Sequence, residues 1–264
     1  MQVPLYQVDA FAGRRFAGNP AAVCPLEAWL GDDLMQAIAN ENNLAETAFF
    51  VREGPENSGH YRIRWFTPTH EVELCGHATL AAGYIVARHV DPAAREIVFA
   101  SKSGPLKVSR DGELYVLDFP ANPPRKVPVP EGLAAALGAE PAETLGTGIW
   151  CLAVFDEAAQ VAALKPDMAA LNRLAPDAVI ATSAGEDCDF VSRCFVPKLG
   201  IPEDPVTGSA HCVLTPYWSA RLGTATLAAR QISRRGGELT CGMQGTRVTI
   251  AGKAVPYLEG WIDV

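Results

Sequence analysis

The spacing of apolar residues in the first half of the chain predicts two helices among short strands. Apolar residues recur at helical spacing from Asp32 to Leu44, with Leu34, Ala37 and Ile38 on one face. The segment from His77 to Val90 is apolar on nearly every side, which is typical of a helix enclosed by other elements. Strands are predicted at 5–11, in the short AAVCPL segment, and at 46–51, 61–67, 96–100, 105–109 and 113–119.

A proline-rich run, PANPPRKVPVP from Pro120 to Pro130, separates these elements from a second set. We therefore expect two halves, 1–122 and 123–264, and leave open that the end of the chain crosses back to the first half. In the second half, helices are predicted at 131–137, 157–164, 167–174 and 209–222, and strands at 150–155, 178–182, 189–196, 225–233, 238–241, 246–250 and 255–263.

The two halves contain a similar pattern of turn and helix. Each contains a turn with glycine that opens an apolar helix, in CGHATLAAGYIVARHV and in TGSAHCVLTPYWSARLG. Aligning Gly76 with Gly208 also aligns Ala78 with Ala210. This weak repeat favours a duplicated architecture over two unrelated helix starts.

Composition narrows the class of protein. Hydrophobic residues make up 48% of the 264 residues and charged residues 20%, with a formal net charge of -8, so neither nucleic acid nor an anionic membrane is an expected partner. The longest apolar stretch, near Ala78–Ala87, is too short to span a bilayer. The 7 cysteines form no CxxC pair, which disfavours a zinc site of the usual spacing and favours reduced thiols. With no signal-peptide pattern at the N-terminus, we expect a cytoplasmic protein.

The candidate catalytic and binding residues lie mainly near the two glycine turns. A helix N-terminus presents unpaired N–H groups that bind carboxylates, so two such helices facing one cleft would suit a small acidic substrate. Glu46, His77 and Asp204 are candidates for proton transfer, and Cys75 directly precedes a predicted helix. Each also has an ordinary structural interpretation, as a solvated, capping, turn or buried residue. The chain lacks GxGxxG, GxxxxGK[ST], GxSxG and HExxH patterns, which leaves chemistry without a nucleotide, cofactor or metal as the expectation.

Four separated motifs carry a resemblance that spans nearly the whole chain. The segments VDAFAGRRFAGNPAAVC, NLAETAFF, RWFTPTHEVELCGHATLAA and IPEDPVTGSAH together resemble the PhzF family of phenazine-biosynthesis isomerases. The resemblance implies an α+β, diaminopimelate epimerase-like fold, with two pseudo-symmetric halves, each a curled, mostly antiparallel sheet around a central helix. It also implies a cofactor-free homodimer that acts on a small carboxylate-bearing substrate. The founding member isomerises trans-2,3-dihydro-3-hydroxyanthranilate by moving a proton between ring carbons.

The resemblance also assigns roles to single residues. Glu46 matches the general acid/base of the family, and His77 and Asp204 match groups that orient the substrate and stabilise charge as the proton leaves carbon. The residues expected to bind the substrate are Asn19, Gly76, Gly208 and Ser209.

Two other functions stay open. Epimerases of this fold use a thiol at each helix start, and Cys75 matches the first, whereas DPVTGS replaces the second and Cys212 lies about one turn further on. A two-thiol racemase is therefore disfavoured, but an amino-acid epimerase that uses Cys75 and Glu46 is not excluded. The third interpretation is a ligand-binding protein of the same fold without turnover.

Overall fold

The computed structural model describes residues 1–264 and divides the chain into two compact units. Unit 1 comprises Met1–Asp118 and Ala251–Val264, and unit 2 comprises Phe119–Ile250. The division falls close to the proline-rich run. The last residues of the chain belong to unit 1, the crossing that the sequence left open.

Strands outnumber helices in this fold. The strands are β1 (Gln2–Ala10), β2 (Asn19–Leu26), β3 (Glu46–Arg52), β4 (His60–Phe66), β5 (Glu71–Val72), β6 (Glu96–Ser101), β7 (Gly104–Asp111), β8 (Leu114–Pro120), β9 (Arg125–Lys126), β10 (Glu143–Thr147), β11 (Trp150–Val154), β12 (Ala178–Ala184), β13 (Phe190–Phe195), β14 (Glu203–Asp204), β15 (Thr226–Gln231), β16 (Gly237–Gln244), β17 (Arg247–Gly252) and β18 (Ala254–Asp263). The α-helices are α1 (Asp32–Asn42), α2 (Gly76–Ile85), α3 (Leu133–Leu137), α4 (Ala158–Ala163), α5 (Met168–Leu171) and α6 (Gly208–Leu222).

Unit 1 is a mixed sheet built mainly from antiparallel neighbours. Strand β1 pairs with β18 and β2, and β3 pairs with β4, all antiparallel. Two parallel pairs, β2 with β3 and β4 with β6, interrupt this pattern, and β6, β7 and β8 form successive hairpins. The parallel pair β2–β3 sets Ala21 opposite Glu46 and so fixes where Glu46 enters the sheet.

Helix α2 lies inside unit 1, as its all-round apolar sequence predicts. Every residue from His77 to Ile85 is buried, and the helix packs against β1, β2, β3, β7 and β18. Gly83 permits a close approach, since a Cβ built there would lie 2.7 Å from Cγ1 of Val108. The predicted helix 77–90 is confirmed in extent, but its last turn, Val86–Val90, is π-helical.

Helix α1 covers another part of the unit 1 sheet, and its predicted apolar face needs correction. Met35, Ile38 and Ala39 are its buried residues, whereas Ala37 is exposed. The buried set packs with Phe49 and Phe66 in one core cluster. Alanine has little apolar surface, so alternating alanines around Ile38 do not define a face by themselves.

Unit 2 repeats the strand pairing of unit 1. Strands β9, β10 and β11 pair antiparallel in turn, β11 pairs parallel with β12, and β12 pairs antiparallel with β13. Strand β13 then pairs antiparallel with the short β14 and parallel with β15, as β4 does with β5 and β6. Helix α6 follows β14 as α2 follows β5, and it packs against β15 and β16. Both units therefore share this succession of strand pairings and a helix after the short strand, which is the duplication that the sequence favoured.

No helix has both the length and the apolar character that crossing a bilayer would need.

Candidate active site

Glu46 and His77 meet at the start of helix α2. Glu46 is the first residue of β3, and its carboxylate atom Oε2 lies 3.3 Å from Nε2 of His77. The side chain of His77 is only 6% exposed and that of Glu46 is 19% exposed. The site is therefore shielded from bulk water on the imidazole side and reachable on the carboxylate side.

Cys75 completes this cluster on the other side of the imidazole. It precedes α2 with extended backbone, φ -145° and ψ 112°, and its Sγ atom lies 3.5 Å from Nδ1 of His77. One ligand atom each from Glu46, Cys75 and His77 falls within 4.8 Å of the others. The sequence places Cys75 beside His77, but only the fold brings Glu46 to them.

Burial controls the charge of the imidazole. Loss of hydration lowers the pKa of His77 from its usual 6.5 to about 3. The ring is therefore neutral at neutral pH, with one nitrogen protonated and the other able to accept. A neutral imidazole between a thiol and a carboxylate can relay or position a proton without carrying a charge of its own.

The first turn of α2 offers backbone donors next to this cluster. No side chain caps the helix, so the N–H groups that follow Cys75, beginning with Gly76, keep their capacity for a negatively charged group. Thr79 instead donates its hydroxyl proton to the Cys75 carbonyl and fixes the turn from the C-terminal side. Asn19 is fully buried at the start of β2, the strand parallel to the one that Glu46 begins.

Asp204 lies in unit 2, within a network of hydrogen bonds. The Thr207 hydroxyl donates to Oδ2 of Asp204 at 2.7 Å, and Gln231 Nε2 donates to the Asp204 carbonyl at 2.7 Å. The Gln231 amide also accepts from the Thr207 backbone N–H at 2.8 Å. Thr207 and Gln231 therefore hold the Asp204 loop. Neither was predicted from the sequence, since Gln231 joins the network only through the fold.

Helix α6 starts directly after this network. Gly208 is its first residue and Ser209 is exposed in its first turn, again with no side-chain cap on the helix. His211, one turn into the helix, donates from Nδ1 to the Thr207 carbonyl at 2.8 Å. Burial raises the pKa of the Cys212 thiol to about 12, so this thiol stays protonated and cannot replace the missing second cysteine of an epimerase.

Of the predicted site residues, the structure thus gathers Glu46, His77 and Cys75 into one cluster of unit 1, with Gly76 between the last two in sequence. In unit 2 it places Asp204, Gly208 and Ser209 along one short segment, from β14 into α6.

The fold is of the epimerase-like α+β class. A protein from Pseudomonas aeruginosa described as a predicted epimerase has this fold, with a TM-score of 0.73 at 21% identity over 98% of this chain and 99% of that one. The family model of phenazine biosynthesis-like proteins, PhzC-PhzF, matches residues 8–260. The chain belongs to this family.

Relatives of higher sequence identity support this family membership. An "uncharacterized isomerase" of Pseudomonas aeruginosa is 52% identical over 262 residues, which cover 99% of both chains. A crystal structure of a PhzF-family phenazine biosynthesis protein from Enterococcus faecalis has a TM-score of 0.96 at 47% identity and covers 100% of both chains. The chain is accordingly an enzyme of the isomerase class.

Proposed function

We propose that this protein is a cofactor-independent isomerase that moves a proton between two carbon atoms of a small carboxylate-bearing metabolite, with Glu46 as general acid/base. The observation that carries the proposal is the 3.3 Å approach of Glu46 Oε2 to Nε2 of the buried His77. A carboxylate held at one point beside a neutral partner can take a proton from one carbon and return it to another.

The burial of His77 supports this division of roles. Because the pKa of His77 is lowered to about 3, the imidazole is already deprotonated at neutral pH and a proton taken from carbon would not rest on it. His77 is therefore the positioning partner, and Glu46 carries the proton. The uncapped N–H groups at Gly76 supply a place for the substrate carboxylate and for negative charge that develops as the proton leaves.

The proposal also gives a substrate-binding role to Asp204, Gly208 and Ser209 of unit 2. Asp204 is oriented by Thr207, and Gly208 and Ser209 begin an uncapped helix, so this segment offers an acceptor and several donors to polar groups of the substrate. Asn19 supplies an amide near the start of β3. A cyclic, dihydro-hydroxyanthranilate-like acid has a carboxylate and other polar groups that donors and acceptors of these kinds would recognise.

One observation favours a second candidate, an amino-acid epimerase. The Cys75 Sγ atom lies 3.5 Å from His77 Nδ1, so the thiol and Glu46 contact opposite nitrogens of one imidazole. Two proton carriers of this kind would suit inversion at one carbon. A binding protein without turnover is the third candidate, and it predicts no proton exchange at all.

Proton-exchange NMR in deuterated water separates these candidates. Small cyclic acids and amino acids that raise the thermal stability of the protein are incubated with the wild type, Glu46→Gln and Cys75→Ser. The isomerase predicts deuterium incorporation that Glu46→Gln slows by about 10²–10⁴-fold and that Cys75→Ser largely keeps. The exposed Glu41→Gln, in α1, is the matched control for loss of a carboxylate. Full activity of Glu46→Gln together with loss in Cys75→Ser would overturn the assignment of the base.

The same variants address the remaining outcomes. Strong loss in both Glu46→Gln and Cys75→Ser would favour the epimerase. Binding of several acids with no exchange in the wild type would favour the binding protein.

A further inference from the structure

The cluster at the start of α2 has the donor set of a transition-metal site. Glu46, Cys75 and His77 offer a carboxylate oxygen, a sulfur and an imidazole nitrogen within 4.8 Å of one another. The 3.3 Å between Glu46 Oε2 and His77 Nε2 matches the ~3.3 Å edge of a tetrahedron with Zn–O and Zn–N each near ~2.05 Å. No CxxC pattern is involved, so spacing along the sequence does not reveal this site.

A second observation points to a ligand at this place. The His77 side chain is 6% exposed, and its Nε2 atom makes no hydrogen bond although it faces the Glu46 carboxylate at 3.3 Å. A buried ring nitrogen without a hydrogen bond costs free energy unless a ligand satisfies it.

We infer that Glu46, Cys75 and His77 bind one divalent cation that is intermediate between hard and soft in its choice of ligands, with Zn²⁺ as the representative ion. Sulfur and imidazole donors select zinc over Mg²⁺ and Ca²⁺, which prefer sets of oxygen ligands. A thiolate and a carboxylate together neutralise the +2 charge, which matters because an unbalanced charge in a buried site is costly. The partial positive charge at the start of α2 opposes a cation, but it is smaller than the two anionic ligands.

Side-chain movements complete the site. Glu46 Oε2 and His77 Nε2 already have the separation of two ligands of one ion. The Cys75 Sγ atom lies on the other side of the ring, 3.5 Å from His77 Nδ1. The thiol therefore makes the closing movement, by rotation of its side chain toward Nε2. Three protein ligands leave a fourth position open, the arrangement of zinc sites that exchange ligands with solvent.

Occupation of the site would affect the isomerase, an effect that rests on the proposed function. A cation on the Glu46 carboxylate blocks the group that would carry the proton. Zn²⁺ is then an inhibitor of the isomerase, relieved by a chelator.

Metal binding is measured without any substrate. The full-length chain, treated with chelator, is titrated with Zn²⁺ by calorimetry and with Co²⁺ by absorption, where a bound thiolate gives a sulfur-to-cobalt charge-transfer band. We expect one ion per chain. Cys75→Ser and His77→Asn should each weaken Zn²⁺ binding by more than about tenfold, the loss that follows even the removal of outer-shell partners. Cys75→Ser should also abolish the charge-transfer band.

Two control variants and a second ion complete the design. Cys188→Ser removes a partly exposed thiol in unit 2, and His211→Asn removes a buried histidine there. Both should bind Zn²⁺ as the wild type does, and circular dichroism checks that all variants are folded. The inference is overturned if the wild type binds no Zn²⁺, if all variants bind equally, or if Mg²⁺ binds with the same affinity as Zn²⁺.

Exchange measured with and without Zn²⁺ separates the metal site from the proposed function. Zn²⁺ binding that depends on Cys75 and His77 but leaves proton exchange unchanged would support the metal site and contradict Glu46 as the base.

Discussion

The imidazole of His77 lies between the carboxylate of Glu46 and the thiol of Cys75. Its Nε2 atom is 3.3 Å from Oε2 of Glu46, and its Nδ1 atom is 3.5 Å from Sγ of Cys75. Because a neutral imidazole has one N–H donor and one acceptor, the two contacts are coupled through the tautomer of the ring. A proton arriving at Glu46 therefore favours one tautomer and changes what the ring offers to Cys75.

The first prediction concerns His77 as a positioning residue. His77→Asn should lower kcat for proton exchange by about 10–100-fold and change KM little, because in the proposed function the ring orients the base and does not hold the substrate. His77→Gln, with a longer amide that can reach toward Glu46, should recover part of the rate. Steady-state kinetics on the acid found in the exchange screen measures both variants. A KM effect as large as the kcat effect would instead place His77 in substrate binding.

The second prediction concerns pH and the free energy of unfolding. Burial lowers the pKa of His77 to about 3 and that of His211 to about 4, whereas unfolded histidine titrates near 6.5. Between those values the unfolded chain binds more protons, so stability is complete above about pH 6.5 and falls as the pH is lowered. Each histidine contributes a slope of about 1.4 kcal/mol per pH unit in its window.

Urea unfolding from pH 4.5 to 7.5 measures this slope. The variants His77→Gln and His211→Gln should each have a shallower slope than the wild type, whatever they do to stability at neutral pH. The same slope in the wild type and in both variants would assign the acid sensitivity to carboxylates.

The third prediction concerns the ion pair that holds β5 against β4. Arg64 donates from Nε and Nη2 to the two carboxylate oxygens of Glu71 at 2.8 and 2.9 Å, and this pairing lowers the pKa of Glu71 to about 2. Strand β5 leads directly to Cys75, so the pair fixes the approach to α2. Glu71→Gln should lower the free energy of unfolding by about 1–3 kcal/mol, since Arg64 loses a charged partner at a site where both side chains are largely buried.

Acid titration tests the sign of this contribution. A carboxyl with a lowered pKa stabilises the fold above its unfolded pKa near 4.5 and loses that contribution as the pH falls toward about 2. The difference in stability between wild type and Glu71→Gln should therefore shrink below pH 4.5. A difference that stays constant would show that the loss comes from packing. The exposed pair of Lys107 with Glu96 is the control, and Glu96→Gln should cost less than about 1 kcal/mol.

Much of this fold was predictable because the strongest sequence patterns coincide with the deepest burial. Helix α2 is the clearest case, since an all-round apolar segment can only be enclosed. The two-residue strands β5, β9 and β14 were missed because so short a segment has no periodicity. Strand β10, ETLGT, has too little apolar content to differ from a loop.

The candidate site was predictable residue by residue but not as a cluster. The motifs named Glu46, His77 and Cys75, yet the contact of Glu46 with His77 depends on the parallel pairing of β2 with β3 and on where α2 lies within the sheet. Gln231 shows more clearly which contacts the sequence could not predict. It lies in TLAARQ, which predicts an ordinary strand, and only the tertiary fold brings its amide to Asp204.

The fourth prediction concerns that amide and the Thr207 hydroxyl. Thr207→Val keeps the shape of the side chain but removes the donor to Asp204, and it also removes the acceptor that Gln231 Nε2 uses at 3.1 Å. We expect kcat/KM for the exchanging acid to fall by about tenfold or more, since a hydrogen bond to a charged group contributes on the order of 1.5–3 kcal/mol. Thr207→Ser keeps the hydroxyl and should retain most of the activity. A loss in Thr207→Ser with full activity in Thr207→Val would point instead to packing of the methyl group.

The last prediction concerns the packing of α2 against β7. A Cβ at Gly83 would lie 2.7 Å from Cγ1 and 3.1 Å from Cβ of Val108, and the branched side chain of Val108 is itself buried in β7. Alanine at an unhindered helix position is about 1 kcal/mol more favourable than glycine, so the sign of the effect separates helix propensity from steric overlap. We expect Gly83→Ala to destabilise unit 1 by about 1–3 kcal/mol in denaturant unfolding, because the neighbour is a stiff side chain that cannot move aside.

Two further variants make the cause of that loss visible. Gly260→Ala, in β18 with open space around the new methyl group, is the control that should stay within about 0.5 kcal/mol of wild type. Gly83→Ala should cost less in a Val108→Ala background than in the wild type, because the smaller side chain makes room for the new methyl group. A stabilised Gly83→Ala would mean that α2 lies further from β7 than the 2.7 Å contact requires.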